Sequence, residues 1–152
     1  TLVPSLRIGW IRADEKLLQS LMIIKESIDL HSCGISQYIL NEYLKDEEKY
    51  EKHLQEIRDD YEKKANFFCE QLDKYLPEFK YEKPKGGMFL YGSFEGIDSF
   101  ALVQKCIEQK VVYVPGNQFY IDKIPNGEIR FNYTHSSFEQ IEKGIKLIKN
   151  CL

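Results

Sequence analysis

Several features are scarce in this 152-residue sequence, and each scarcity closes off a class of protein. No apolar run approaches the ~20 residues that cross a bilayer, so no membrane span is expected. No basic block stands out, and 21 basic against 24 acidic side chains leave a net charge of −3. That balance argues against nucleic-acid contact by this segment. The four cysteines, Cys33, Cys69, Cys106 and Cys151, are far apart and form no Cys-x-x-Cys pair, so neither a metal site nor a disulfide framework is expected. Three of them fall at apolar-phase helix positions or near a helix end, where a thiol serves as a small hydrophobe. The compartment this implies is reducing, hence cytoplasmic. The start, Thr1-Leu2-Val3-Pro4, lacks an initiator Met and a signal-peptide pattern, so the chain reads as a fragment of something longer. What is present, 43% hydrophobic and 30% charged residues, is the composition of a folded globular domain.

Periodicity supplies the elements. Leu6 to Ala13 reads as a strand, and Asp14 then opens a helix with Leu17, Leu18, Leu21, Met22, Ile24 and Ile28 on a wide apolar face. After a loop from Asp29 to Gly34, a second helix is predicted from Ile35 to Leu44, with Ile35, Ile39, Leu40 and Tyr43 or Leu44 inward. The clearest pattern is Tyr50, Leu54, Ile57, Tyr61, Ala65, Phe68, Leu72 and Tyr75, spaced by threes and fours up to Pro77. It predicts a long helix with one apolar stripe.

Beyond Pro77 the period changes to two. Strands are predicted at Phe79–Glu82, Met88–Phe94, Val111–Val114 and Glu128–Thr134. Asp98 or Ser99 is expected to cap a helix carrying Phe100, Leu102, Val103, Cys106 and Ile107. Ser136 and Glu139 are expected to form a capping box for a last helix burying Phe138, Ile141, Ile145 and Ile148. The whole reads as α/β, ending in a small unit with a sheet covered by helices.

Two arginines stand out. Arg7 interrupts an apolar strand, where it is either an edge-strand charge or an anion receptor. Arg130 lies on the polar face of Glu128–Thr134, opposite Ile129, Phe131 and Tyr133, and is either a solvated face residue or a receptor. A guanidinium donates two parallel hydrogen bonds to carboxylate or phosphate, which makes it the preferred partner for either. His31, His53 and His135 lack metal-site spacing and read as surface or capping groups. No nucleophile-elbow sequence is present, and Gly86-Gly87 reads as a strand-entry turn.

Taken in order, these motifs carry a resemblance. Pro4-x-x-Arg7-x-Gly9-Trp10 resembles the segment just after the Schiff-base lysine in class I/II aminotransferases of the pyridoxal-phosphate fold type I superfamily. The long helix, Lys83-Pro84-Lys85-Gly86-Gly87-Met88-Phe89, Val114-Pro115-Gly116-x-x-Phe119 and Glu128-Ile129-Arg130-Phe131-Asn132-Tyr133 follow in family order. Phe131 and Tyr133 replace the more usual Leu and Phe around the arginine, preserving the alternation.

The resemblance implies a C-terminal portion of a fold type I subunit. Residues 1–46 would be the tail of the large cofactor-binding domain, 47–76 a linking helix, and 77–152 the small C-terminal domain. It implies pyridoxal 5′-phosphate as cofactor, amino-acid and 2-oxo-acid substrates, and a homodimer. Arg7 would bind the cofactor's phosphate and Arg130 the substrate's α-carboxylate. The Schiff-base lysine would immediately precede Thr1, so no catalytic residue is expected within the segment, and the segment alone is expected to be inactive. A second expectation is an aminotransferase-like effector domain of a bacterial winged-helix regulator.

Overall fold

The computed structural model describes residues 4–122, 124 and 126–152. The opening Thr1-Leu2-Val3 lies outside the described residues. The chain divides into two compact units, Thr1–Gln55 and Glu56–Leu152.

In the first unit a 3-10 turn, Pro4–Leu6, leads through irregular chain to α1, Glu15–Ile28, and α2, Gly34–Leu44. The strand expected over Leu6–Ala13 does not form. A strand needs a neighbour to accept its N–H groups and donate to its C=O groups, and among the described residues all strand pairing falls between Lys80 and Asn132. Asp14 starts α1 as predicted, its carboxylate accepting from the Lys16 amide at 3.0 Å. The apolar face of α1 is correctly phased but is not buried within this unit: Met22, Ile24 and Ile28 are exposed, and Leu18 and Leu21 half-buried. On α2, likewise, Leu40 and Tyr43 are half-buried while Ile35 and Ile39 are exposed.

The long helix is α3, Glu47–Tyr75, 29 residues or ~44 Å at ~1.5 Å per residue. Its C-terminal half buries Ala65, Phe68, Cys69 and Leu72 in the core of the second unit. Strands β1 (Lys80–Tyr81) and β2 (Phe89–Ser93), helix α4 (Ser99–Glu108), strands β3 (Val114–Pro115) and β4 (Glu128–Asn132), and helix α5 (Phe138–Cys151) complete it. The sheet is antiparallel in the order β1-β2-β4-β3. Leu90, Ile129, Phe131 and Tyr133 point to the helices, where Leu72, Leu102, Cys106, Ile141, Ile145 and Ile148 complete the core.

Three local expectations need correction. The strand expected at Val111–Val114 shifts to Val114–Pro115, because the Val111 amide donates to Cys106 O at 3.0 Å to close off α4. Pro115 is tolerated because β3 is an edge strand. The α5 capping box is Ser137 with Gln140 rather than Ser136 with Glu139. Finally, Phe100, Ile107 and Phe138 are exposed; Phe138 meets Phe67 edge-on, with ring centroids 5.0 Å apart.

Candidate functional site

The alternation of β2 and β4 builds the site. Leu90 pairs with Phe131, and Gly92 with Ile129, on the core side. The intervening residues therefore share the opposite face: Phe89 and Tyr91 from β2, Glu128 and Arg130 from β4. Tyr91 stands directly across from Arg130, and Val114 of β3 flanks Arg130 on its other side. Arg130 is thus on the polar strand face, as its sequence phase predicts.

The surroundings of Arg130 are not those of a solvated arginine. Its guanidinium carbon lies 4.3 Å from the Phe89 ring centroid and 4.8 Å from that of Phe119, which belongs to a 3-10 turn, Gly116–Phe119. Cation–π contacts of this kind contribute ~0.5–2 kcal/mol each. Its Nε is buried without a hydrogen-bond partner, and among the described residues Arg130 forms no ion pair. An unsatisfied buried donor costs ~1–3 kcal/mol, a cost that a carboxylate accepting from the guanidinium edge would remove.

The acidic neighbour is engaged elsewhere. Glu128 accepts from the Tyr91 hydroxyl at 2.6 Å and from the Tyr120 hydroxyl at 3.0 Å, one on each carboxylate oxygen. Burial, then the Glu128 contact, pushes the Tyr91 phenol well above the ordinary tyrosine range. Tyr120 is shifted the same way, chiefly by its hydrogen bond to Glu128. The turn carrying Phe119 passes so close to Glu128 that a Cβ at Gly116 would run into the Glu128 side chain. The periodicity reading missed Glu128, Tyr91 and Tyr120. The available signal was the phase of Phe89 and Tyr91, which set two aromatics on the same face as Arg130 once the strands are paired.

Arg7 belongs to the first unit. It follows the 3-10 turn in a left-handed backbone conformation, φ +53°, and its side chain is exposed. Among the described residues it has no ion-pair partner. Gly86-Gly87 is the expected strand-entry turn: Gly87 takes φ +83°, and the Tyr133 hydroxyl donates to its carbonyl at 2.8 Å. His31 Nδ1 contacts Ser32 O in its own loop at 3.1 Å, the half-buried His53 lies edge-on to Tyr43, and His135 is exposed beside the start of α5. Among the described residues no group of three His, Cys, Asp or Glu side chains is placed to hold a metal ion.

The antiparallel sheet and its helices match solved fold type I aminotransferase structures. Residues 2–148 match the family described as aminotransferase class I and II, and the chain belongs to that family. The aromatic-amino-acid aminotransferase 1 of Thermococcus litoralis is 35% identical over 148 residues, covering 95% of this chain and 35% of that protein. The structure of the α-aminoadipate aminotransferase LysN from Thermus thermophilus, complexed with N-(5′-phosphopyridoxyl)-L-leucine, superposes with a TM-score of 0.86 at 29% identity. That match spans 98% of this chain and 38% of the Thermus one. The HTH-type transcriptional regulator NorG of Staphylococcus aureus is 30% identical over 148 residues, covering 95% of this chain and 33% of that protein. The chain therefore spans 35–38% of the length of the first curated relatives it matches.

Proposed function

We propose that the protein containing this chain is a pyridoxal-phosphate-dependent aminotransferase that exchanges an amino group between an amino acid and a 2-oxo acid. The observation that carries this reading is Arg130. A guanidinium held against Phe89 and Phe119, with a buried unpartnered Nε, has the donor set that a substrate α-carboxylate needs. In this role Arg130 binds and orients the substrate and performs no proton transfer.

The cofactor fits the chemistry of Arg7, an exposed guanidinium without an ion-pair partner among the described residues, suited to a phosphate dianion. Bound pyridoxal phosphate would supply the electron sink for carbanion chemistry. Arg7 would hold its phosphate, and Arg130 would fix the substrate carboxylate. On this reading 1–46 ends the large domain, 47–76 links, and 77–152 is the small domain. The whole protein is a homodimer, and residues 1–152 alone do not transaminate. A cytoplasmic location is supported by the buried free thiols of Cys69 and Cys106. No described helix is long and apolar enough to cross a membrane.

In the full-length protein, Arg130→Ala should weaken binding of the substrate carboxylate by ~2–5 kcal/mol and leave cofactor retention nearly intact. Arg7→Ala should do the reverse. Dissociation constants and cofactor absorbance check both, and equal loss of cofactor in the two variants would defeat the division of labour. The likeness to NorG supports a second reading, an effector domain of a regulator. The absorption spectrum with pyridoxal phosphate decides between them. A cofactor band that converts on adding amino acid and returns on adding 2-oxo acid belongs to an enzyme, and one that shifts without returning belongs to a sensor.

A further inference from the structure

We infer that Glu128 is a positioning residue for Arg130, tying Tyr91 and Tyr120 together so that Phe119 is held over the guanidinium. The inference rests on the proposed role of Arg130 as carboxylate receptor and adds the groups that build the receptor. Three observations converge. The Tyr91 and Tyr120 hydroxyls each donate to a different oxygen of Glu128, one from β2 and one from the residue following the Gly116–Phe119 turn. Tyr91 also meets the Phe119 ring edge-on, with centroids 6.1 Å apart. At the other end of the turn, Gly116 allows the backbone to pass against the Glu128 side chain, where a Cβ would collide. Glu128 therefore fixes both ends of the segment that carries Phe119.

The arrangement also explains why two opposite charges, two residues apart on one strand face, do not neutralise each other. That separation is ~6.6 Å along the strand, within reach of two long side chains. The carboxylate is turned to the tyrosines instead, and the guanidinium stays available to a ligand. Both tyrosines hold their protons firmly, so the clamp persists across the neutral range.

Charge and geometry make opposite predictions for the same substitution, which is what makes the inference testable. Removing an anion beside a carboxylate receptor should tighten carboxylate binding by Coulomb's law. Removing a positioning group should weaken it. The experiment uses the full-length protein with pyridoxal phosphate and measures hexanoate binding by calorimetry for wild type, Glu128→Ala, Glu128→Gln, Arg130→Ala and the double variant Glu128→Ala/Arg130→Ala. We expect Glu128→Ala to weaken binding tenfold or more. Glu128→Gln should bind at least as tightly as wild type, since an amide can still accept from one hydroxyl and donate to the other while the repelling charge is gone. The double variant should bind no worse than Arg130→Ala alone. Should Glu128→Ala fail to fold by circular dichroism, Tyr91→Phe/Tyr120→Phe removes both hydroxyls and keeps the rings, and it should show the same weakening. Unchanged or tighter binding in the folded variant overturns the positioning role while leaving Arg130 as receptor. Wild-type affinity in Arg130→Ala overturns the receptor reading itself.

Discussion

At the residue scale, the cysteines show how position sets chemistry. Cys69 and Cys106 are buried, and burial pushes both thiols up, Cys106 to about 12 with a further contribution from its contact with Cys151. Cys33 is exposed just before α2, where the Ser36 amide, the Ser36 hydroxyl and then the Ile35 amide lower its thiol pKa. A lowered pKa means more thiolate at a given pH, and the thiolate is the nucleophile. Iodoacetamide labelling of this chain at pH 7 to 8, followed by peptide mass mapping, should therefore modify Cys33 first and leave Cys106 unmodified until the protein unfolds. Labelling of Cys106 ahead of Cys33 would contradict the packing of α4 against α5. Compositional reading placed the thiols of Cys69 and Cys106 correctly, because their helical phase is that of the core. Arg130 was legible for the same reason, as the out-of-phase member of an alternating strand. Glu128 was not, since its meaning depends on Tyr91 and Tyr120, which lie 37 and 8 residues away in sequence and meet it only when the sheet forms.

At the scale of elements, helices were more legible than strands, and α5 shows where legibility ends. Two overlapping Ser-x-x-Glu/Gln patterns open it, Ser136 with Glu139 and Ser137 with Gln140. Sequence offers no choice between frames one residue apart, but the core does. With Ser137 as cap, its Oγ accepts from the Gln140 amide at 3.3 Å, and the Gln140 side chain accepts from the Ser137 amide at 2.9 Å. The frame then places Ile141, Ile145 and Ile148 inward. Ser137→Ala should cost ~0.5–2 kcal/mol of stability, and Ser136→Ala much less. Urea unfolding of the two variants measures the difference, and equal losses would mean that the helix starts a residue earlier. The failed strand at Leu6–Ala13 has the complementary cause. A helix satisfies its own backbone, whereas a strand is decided by what lies beside it, and no local pattern reports on that.

At the scale of the whole molecule, burial is distributed unevenly between the two units. Among the described residues every buried hydrophobic side chain lies between Ala65 and Ile148, and none falls in Thr1–Gln55. The second unit is a closed layer of sheet and helices, with Leu72, Cys106 and Ile129 at 0% exposure. The first unit holds α1 and α2, whose apolar residues Met22, Ile23, Ile28 and Ile35 remain 62–76% exposed. Burial of apolar area at ~25 cal/mol per Å² is the term that must offset chain entropy, so the two units should differ sharply in autonomy. Residues 56–152 expressed alone should unfold cooperatively in urea and show an ordered near-ultraviolet spectrum from Tyr113, Phe131 and Tyr133. Residues 1–55 alone should show no cooperative transition. Within residues 56–152, Leu72→Ala should lower the unfolding free energy by ~2–5 kcal/mol, the cost of a large-to-small change at a fully buried site. A non-cooperative 56–152 would mean that its core depends on contacts from elsewhere. The proposed Arg130 receptor, built from β2, β4 and residues 116–120, would then not be preformed by this unit. Cooperative unfolding would instead make the clamp a property of the second unit itself, open to measurement apart from the cofactor.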